Sequence, residues 1–152
     1  MEQMTERRAA GMLAEGYHCS QVVALHIAEC MGLDKAEAMR LTAGLGAGCN
    51  HGDTCGAVSA GVLALGRVYG FDTYEKEKDT ILKDKVREFQ AKFIALHGAS
   101  LCRELLDHYD AADPDRVSTE TTWDNCGGYC ADACAILDEM IGVFYRKQED
   151  KA

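Results

Sequence analysis

Residues 44–69 read GLGAGCNHGDTCGAVSAGVLALGRVY, and in this stretch a glycine-rich segment leads directly into an apolar one. Because glycine has no Cβ, segment 44–53 predicts a loop whose backbone takes positive φ angles and approaches its neighbours closely. Segment 54–69 is apolar on nearly every face, which predicts a helix at the centre of the core, with Asp53 as its N-cap. The neighbouring segments are therefore expected to pack around this helix.

Helical patterns flank this stretch on both sides. Further helices are predicted at Glu2–Glu15, at Ser20–Met31, after the cap Asp34, at Phe71–His97, at Ser100–Leu106 and at Asn125–Tyr145, with a loop at Asp107–Asp124. Glycine occurs 15 times and proline once, which is typical of helices separated by glycine turns. The sequence predicts one all-α domain over residues 1–152, a compact bundle of about six or seven helices with a glycine-rich loop before a central apolar helix.

The charge and the apolar runs exclude several classes of partner. A formal net charge of -9 repels phosphate backbones, so no nucleic-acid partner is expected. The first 16 residues lack the apolar core of a secretory signal, and the longest apolar run, 57–65, is too short to span a bilayer. We therefore expect a cytoplasmic protein without membrane insertion. A redox partner protein of unknown identity is expected, and a homodimer packed across the 54–69 helix is left open.

The chain has 8 cysteines, which is unusual for a helical domain of this size. In a reducing cytosol, cysteines serve as metal ligands, as redox thiols or as small buried hydrophobes. Four of them, Cys19, Cys55, Cys102 and Cys126, fall within the first turn of a predicted helix. Unpaired backbone N–H groups and the helix dipole stabilise a thiolate there. One such cysteine alone is best explained as core, but four at helix starts predict a common anionic site.

The other four cysteines are placed differently. Cys30 ends its helix, where the dipole opposes a thiolate, so it is expected in the core. Cys130 and Cys134 follow Cys126 on one stripe of the last helix, where apolar packing and an accessory role are equally good explanations. Cys49 lies in the glycine loop close to His51. The predicted accessory candidates are therefore Cys49, Cys130, Cys134 and His51.

The residues alone leave the chemistry of the four-cysteine site open. Four thiolates match the ligand count of an iron–sulfur cluster or of a structural zinc ion. The same thiolates could instead attack a disulfide, as in a thiol–disulfide oxidoreductase using Cys55 with Cys49 or Cys126. A metal-storage protein and a helical interaction module with incidental cysteines are further alternatives. No C-x-x-C motif and no phosphate-binding lysine motif is present.

Four short segments carry a resemblance to a known family. They are GYHCSQ at 16–21, GDTCGAVS at 52–59, CRELL at 102–106, and Cys126 ahead of 133–137. With these segments the chain resembles the C_GCAxxG_C_C family of redox-active proteins, over most of its length. The family's characteristic cysteines fall on Cys19, Cys55, Cys102 and Cys126.

The resemblance implies a redox role. A similar module in the split-Soret cytochromes is associated with an iron–sulfur site, which favours a [2Fe-2S] or [4Fe-4S] cluster over zinc or a metal-free site. The leading hypothesis is electron transfer or redox sensing through a cluster held by Cys19, Cys55, Cys102 and Cys126. Whether the protein is also an enzyme is left open.

Overall fold

The computed structural model describes residues 3–106 and 120–149, and the side-chain environment of residues 3–106 and 125–142. Within these ranges the chain forms seven α-helices. They are α1 (Glu6–Ala14), α2 (Cys19–Met31), α3 (Lys35–Thr42), α4 (Gly56–Tyr69), α5 (Lys76–His97), α6 (Cys102–Leu105) and α7 (Glu120–Glu149). The predicted all-α class is therefore confirmed.

Helix α4 belongs to the core, but it is not buried on nearly every face as predicted, because Leu63 is 53% exposed. It packs against α2, α5 and α7. Gly61 of α4 lies against the ring of Phe89 on α5, so closely that a Cβ at Gly61 would come within 2.3 Å of the Phe89 Cζ atom. Phe89 and Phe93 are fully buried, Phe89 against α4 and Phe93 with its ring centroid 6.1 Å from that of Tyr129 on α7.

Helix α7 lies between α1 and α2 and contacts both. Gly127 on α7 approaches α1 so closely that a Cβ there would stand 3.0 Å from the carbonyl oxygen of Glu6. This contact holds α7 against the bundle, and its residues Cys130 and Cys134 are buried there. Among the described helices, none is long and apolar enough to cross a membrane.

Five predicted helix starts are wrong. Helix α1 begins at Glu6, after its cap Thr5, and not at Glu2, and α6 begins at Cys102 and not at Ser100.

The starts of α4 and α5 also differ from the prediction. Asp53 does not cap α4, because residues 53–55 pair with residues 100–102 and the helix begins only after Cys55. Helix α5 begins at Lys76 and not at Phe71, because residues 71–75 include Asp and Thr, which favour turns and caps over helix interiors.

Helix α7 begins at Glu120, ahead of the predicted start at Asn125. No glycine or proline occurs at positions 120–125, so nothing in the sequence stops the helix from extending upstream. The last part of the predicted loop is therefore helical, and its residues 107–119 lie outside the described ranges.

The predicted cap at Asp34 is confirmed, and it gives a stability test. The Asp34 carboxylate accepts a hydrogen bond of 2.7 Å from the backbone N–H of Glu37 in the first turn of α3. We expect Asp34→Ala to lower the free energy of unfolding by about 1 kcal/mol, measured by urea denaturation. Asp84→Ala, on the exposed face of α5, should change it by less than about 0.5 kcal/mol. Equal losses in both variants would contradict the capping role.

Candidate functional site

An isolated antiparallel bridge between Thr54 and Leu101 brings two of the predicted cysteines together. The backbone N–H of Cys55 donates to the Ser100 carbonyl at 2.8 Å, and that of Cys102 donates to the Asp53 carbonyl at 2.7 Å. Both cysteines therefore stand at the start of their helices, α4 and α6, on adjacent backbone segments. An ion pair of 3.4 Å between Asp53 and an arginine of α6, Arg103, also joins the two segments.

Cys19, the first residue of α2, has the most polar surroundings of the four thiols. Its sulfur accepts a hydrogen bond from the Cys55 thiol and from the backbone N–H groups of Ser20, Ala47 and Ala57. These donors, the Cys55 thiol above all, lower the pKa of Cys19 to about 7, although burial opposes the shift. Cys19 is therefore the thiol that ionises first.

The glycine loop supplies one of these donors through an unusual backbone conformation. Four consecutive residues, from Ala47 to Asn50, have left-handed φ angles of 52°, 61°, 58° and 54°. Such angles are unfavourable for the three that are not glycine. Gly48 must remain glycine in any case, because a Cβ there would come within 2.4 Å of the Asp53 nitrogen. The loop therefore holds a strained turn beside the Cys19 sulfur.

Cys55 behaves in the opposite way to Cys19. Its hydrogen bond to the Cys19 sulfur, together with burial, raises the pKa of Cys55 well above the ordinary thiol value. Cys55 therefore remains a thiol and a donor while Cys19 ionises. A thiolate and a thiol in hydrogen-bond contact form the centre of the site.

Cys102 and Cys126 lie close enough to Cys19 to respond to its charge. Burial raises the pKa of Cys102 to about 11, and the Cys19 charge adds to the effect. Burial likewise raises the pKa of Cys126 to about 12, with further contributions from Cys19 and Cys102. No three of these four sulfurs lie mutually within 4.8 Å, whereas another group of described residues does.

The structure differs from the sequence-based expectation about helix starts. Cys126 lies six residues inside α7, because that helix begins at Glu120, so the helix dipole does not act on Cys126 as predicted. Of the four thiols, only Cys19 has a lowered pKa. At Cys102 and Cys126 burial outweighs any helix-end effect, and at Cys55 the hydrogen bond to Cys19 together with burial does so.

The four remaining cysteines fall in three places. Cys130 is fully buried beside the site, and its sulfur donates to the Cys19 carbonyl oxygen at 3.6 Å. Cys49 is exposed on the loop, as is its neighbour His51, which pairs with Asp53 at 3.2 Å. Cys30 and Cys134 are both buried farther along α2 and α7, as expected for Cys30. Cys130 is thus the accessory candidate in direct contact with Cys19.

Sequence reasoning missed a group of potential ligands away from these thiols. His26, Cys30 and Asp138 bring one nitrogen, one sulfur and one oxygen atom mutually within 4.8 Å. The spacing of four between His26 and Cys30 places both on one face of α2 and could have indicated the pair. Their partner on α7 is far away in the sequence and could not be identified from spacing.

A thiolate titration tests the electrostatics of Cys19. In reduced, metal-free protein, the ultraviolet absorbance of thiolate should rise with a midpoint near pH 7, because Cys19 ionises about two units below the ordinary thiol. Cys19→Ser should remove this step, and Cys55→Ala should shift it upward because the chief donor is lost. A curve that rises only near the ordinary thiol pKa of 9.0 would contradict the assignment.

Comparison with known proteins gives one match. The family model described as "Putative redox-active protein (C_GCAxxG_C_C)" matches residues 17–140, which is most of the chain and includes all of the cysteines discussed. Neither the curated proteins nor the solved structures contain a match to this chain.

Proposed function

Since the chain belongs to the C_GCAxxG_C_C family of redox-active proteins, we propose that it acts in electron transfer or in redox sensing through an iron–sulfur cluster. The proposed ligands are Cys19, Cys55, Cys102 and Cys126, with the cluster of the [2Fe-2S] or [4Fe-4S] type. The observation that supports the proposal is that the Cys55 thiol hydrogen-bonds to the Cys19 sulfur and that the Cys19 charge acts on Cys102 and Cys126, so thiols from four separate chain segments interact.

The chemistry of the donors favours a cluster. No three of the four sulfurs lie mutually within 4.8 Å, so they would have to approach one another to bind a single zinc ion, whose thiolate ligands lie about 3.8 Å apart. Cysteine thiolates are the usual ligands of iron–sulfur clusters, which supply reversible one-electron transfer when bound.

The surrounding residues would stabilise the extra negative charge of such a site. Backbone N–H groups of Ser20, Ala47 and Ala57 point at the Cys19 sulfur, and hydrogen bonds to ligand sulfurs are known to raise cluster potentials. Cys130 packs against the Cys19 backbone and keeps water from that side. The strained loop thus helps to set the potential as well as the position of Cys19.

A metal-free dithiol is the second candidate, and the Cys19–Cys55 contact favours it. The Cys19 thiolate would attack a disulfide of a partner, forming a mixed disulfide and releasing one partner thiolate. Cys55 would then lose its proton and attack the Cys19 sulfur, forming the Cys19–Cys55 disulfide and releasing the second partner thiolate. The partner disulfide is reduced by two electrons and the protein dithiol is oxidised. Cys55 is thus paired with Cys19 here, and not with Cys49 or Cys126 as the sequence suggested.

The pH dependence of the reduction potential separates the two candidates. A dithiol couple takes up two electrons and two protons, so its potential should fall by roughly 60 mV per pH unit. Above pH about 7 the slope should fall to roughly 30 mV, because reduced Cys19 no longer holds its proton. A cluster couple with fixed ligands should show a nearly constant potential and a one-electron titration curve. A two-electron, strongly pH-dependent couple in metal-loaded protein would overturn the cluster proposal.

The compartment belongs to the same proposal. All eight cysteines are free thiols, and three of those around the site, Cys55, Cys102 and Cys130, are buried. Such a chain suits a reducing environment, in which thiols persist and clusters are assembled. We therefore propose a cytoplasmic location and a soluble redox partner protein.

A further inference from the structure

A second group of ligand-type side chains lies between α2 and α7, outside the proposed redox site. On α2, His26 and Cys30 are four residues apart, and on α7 the same spacing separates Cys134 from Asp138. Side chains at this spacing share one helix face. His26 Nε2 lies 2.8 Å from Asp138 Oδ1 and 3.6 Å from Cys30 Sγ, and the three atoms lie mutually within 4.8 Å. Three ligand-type atoms from two helices thus converge on one point.

We propose that this group is a second metal site, which binds a divalent ion of the zinc class. The ligands are His26 Nε2, Cys30 Sγ and an Asp138 carboxylate oxygen, with a water molecule as the fourth. One nitrogen, one oxygen and one sulfur with a water molecule form a donor set that zinc accepts in tetrahedral geometry. The site would join α2 to α7.

The distances are close to those of a loaded site. For metal–nitrogen and metal–sulfur bonds of ordinary length, the nitrogen and sulfur stand about 3.5 Å apart, which is near the 3.6 Å between His26 and Cys30. The histidine and carboxylate atoms would have to separate from 2.8 Å to about 3.4 Å, a change within the reach of one carboxylate rotation. The chain therefore needs little rearrangement to bind the ion.

Burial and charge favour a cation at this point. His26, Cys30 and Cys134 are buried, and Cys134 interacts electrostatically with both Cys30 and Asp138. A positive ion would offset the negative charges of these groups. The neighbouring Arg8 does not serve this purpose, because it is already paired with Glu29 at 3.2 Å. The Asp138 side chain is 40% exposed, so the ion has a route from solvent.

The two sites can be tested separately. Cys126 and Cys134 are eight residues apart on α7, or about 12 Å along the helix. A protein with both Cys19→Ser and Cys55→Ser lacks two ligands of the proposed redox site and keeps every ligand of the second site. Metal binding measured in this double variant therefore does not depend on whether the cluster proposal is correct.

Cobalt(II) is the probe, added to the reduced, metal-free double variant. We expect one Co²⁺ per chain, with a thiolate-to-metal charge-transfer band and the intense visible bands of tetrahedral cobalt, both displaced by Zn²⁺. Adding Cys30→Ser should abolish the charge-transfer intensity of that ligand and weaken binding at least about tenfold. Adding Asp138→Asn should weaken binding to a similar extent and leave the charge-transfer band.

A matched control lies on the same helix. Asp132 is also partly exposed and pairs with a histidine, His97, at 3.0 Å. Among the described residues, however, no cysteine joins this pair in a group of potential metal ligands. Asp132→Asn should therefore leave cobalt binding unchanged. Cobalt binding that is absent from the double variant, or unaffected by Cys30→Ser and Asp138→Asn in protein of unchanged helicity, would overturn the proposal.

Discussion

Replacing Cys55 with serine should leave the protein with less than about a tenth of the iron and acid-labile sulfide of the unaltered chain. Cys55 links the other proposed ligands, because its thiol hydrogen-bonds to the Cys19 sulfur and its backbone is bridged to the segment before Cys102. Serine keeps the size of the side chain but offers a poor ligand for iron. The measurement is iron and sulfide analysis of both proteins prepared anaerobically, side by side.

The matched control is Cys49→Ser, which changes the same residue type six positions earlier. Cys49 is exposed on the glycine loop, so its replacement should leave the iron and sulfide content unchanged. Equal retention of iron in both variants would remove Cys55 from the ligand set. Equal loss would show that the loop cysteine, and not only the buried one, is required.

Gly56→Ala should disrupt the site without changing any sulfur atom. A Cβ at this position would stand 2.6 Å from the Cys19 sulfur and 2.9 Å from the Leu45 carbonyl oxygen, so one of them must move. Overpacking of this kind costs about 1–3 kcal/mol of unfolding free energy. Since the displaced atom is a proposed ligand, iron content should fall and the thiolate step of Cys19 should shift upward from pH about 7.

Two other glycines of α4 separate the local effect from general destabilisation. Gly61→Ala collides with Phe89 and should cost a similar amount of stability, yet it should leave the Cys19 titration in place. Gly66 has no atom within 4 Å of its would-be Cβ, so Gly66→Ala should stabilise the helix by roughly 0.5–1 kcal/mol. If Gly61→Ala also shifts the Cys19 titration, the specific contact at Gly56 is not the cause.

The helical part of the fold was predictable because its signals are local. Asp34 caps α3 through a hydrogen bond three residues away, and the apolar run at 54–69 predicts a core helix. The predicted start of α4 is wrong because a distant segment intervenes. The bridge between residues 53–55 and 100–102 delays the start of α4, and nothing within the local sequence announces it.

The candidate site was predictable in its residues more than in its electrostatics. Helix-end reasoning selected Cys19, whose lowered pKa agrees with it, but the chief cause is the Cys55 thiol. That contact joins residues 36 positions apart in the chain. The prediction for Cys126 also depended on a helix start. The sequence placed Cys126 in the first turn of the last helix, but α7 begins six residues earlier, at Glu120.

The second group of ligands illustrates what pairwise spacing cannot reveal. The pairs His26–Cys30 and Cys134–Asp138 are each visible as spacings of four. The approach of Asp138 to His26 and Cys30 depends on how α2 packs against α7. Only the tertiary structure therefore brings these three side chains together.

The most direct test of the central claim is the iron and acid-labile sulfide content of the unaltered protein, purified without oxygen from cells with normal cluster assembly. The account predicts a brown protein that contains iron and sulfide in equal amounts, lost together when Cys19, Cys55, Cys102 and Cys126 are replaced. A colourless protein without iron, in which Cys19 and Cys55 oxidise reversibly to a disulfide, would contradict it.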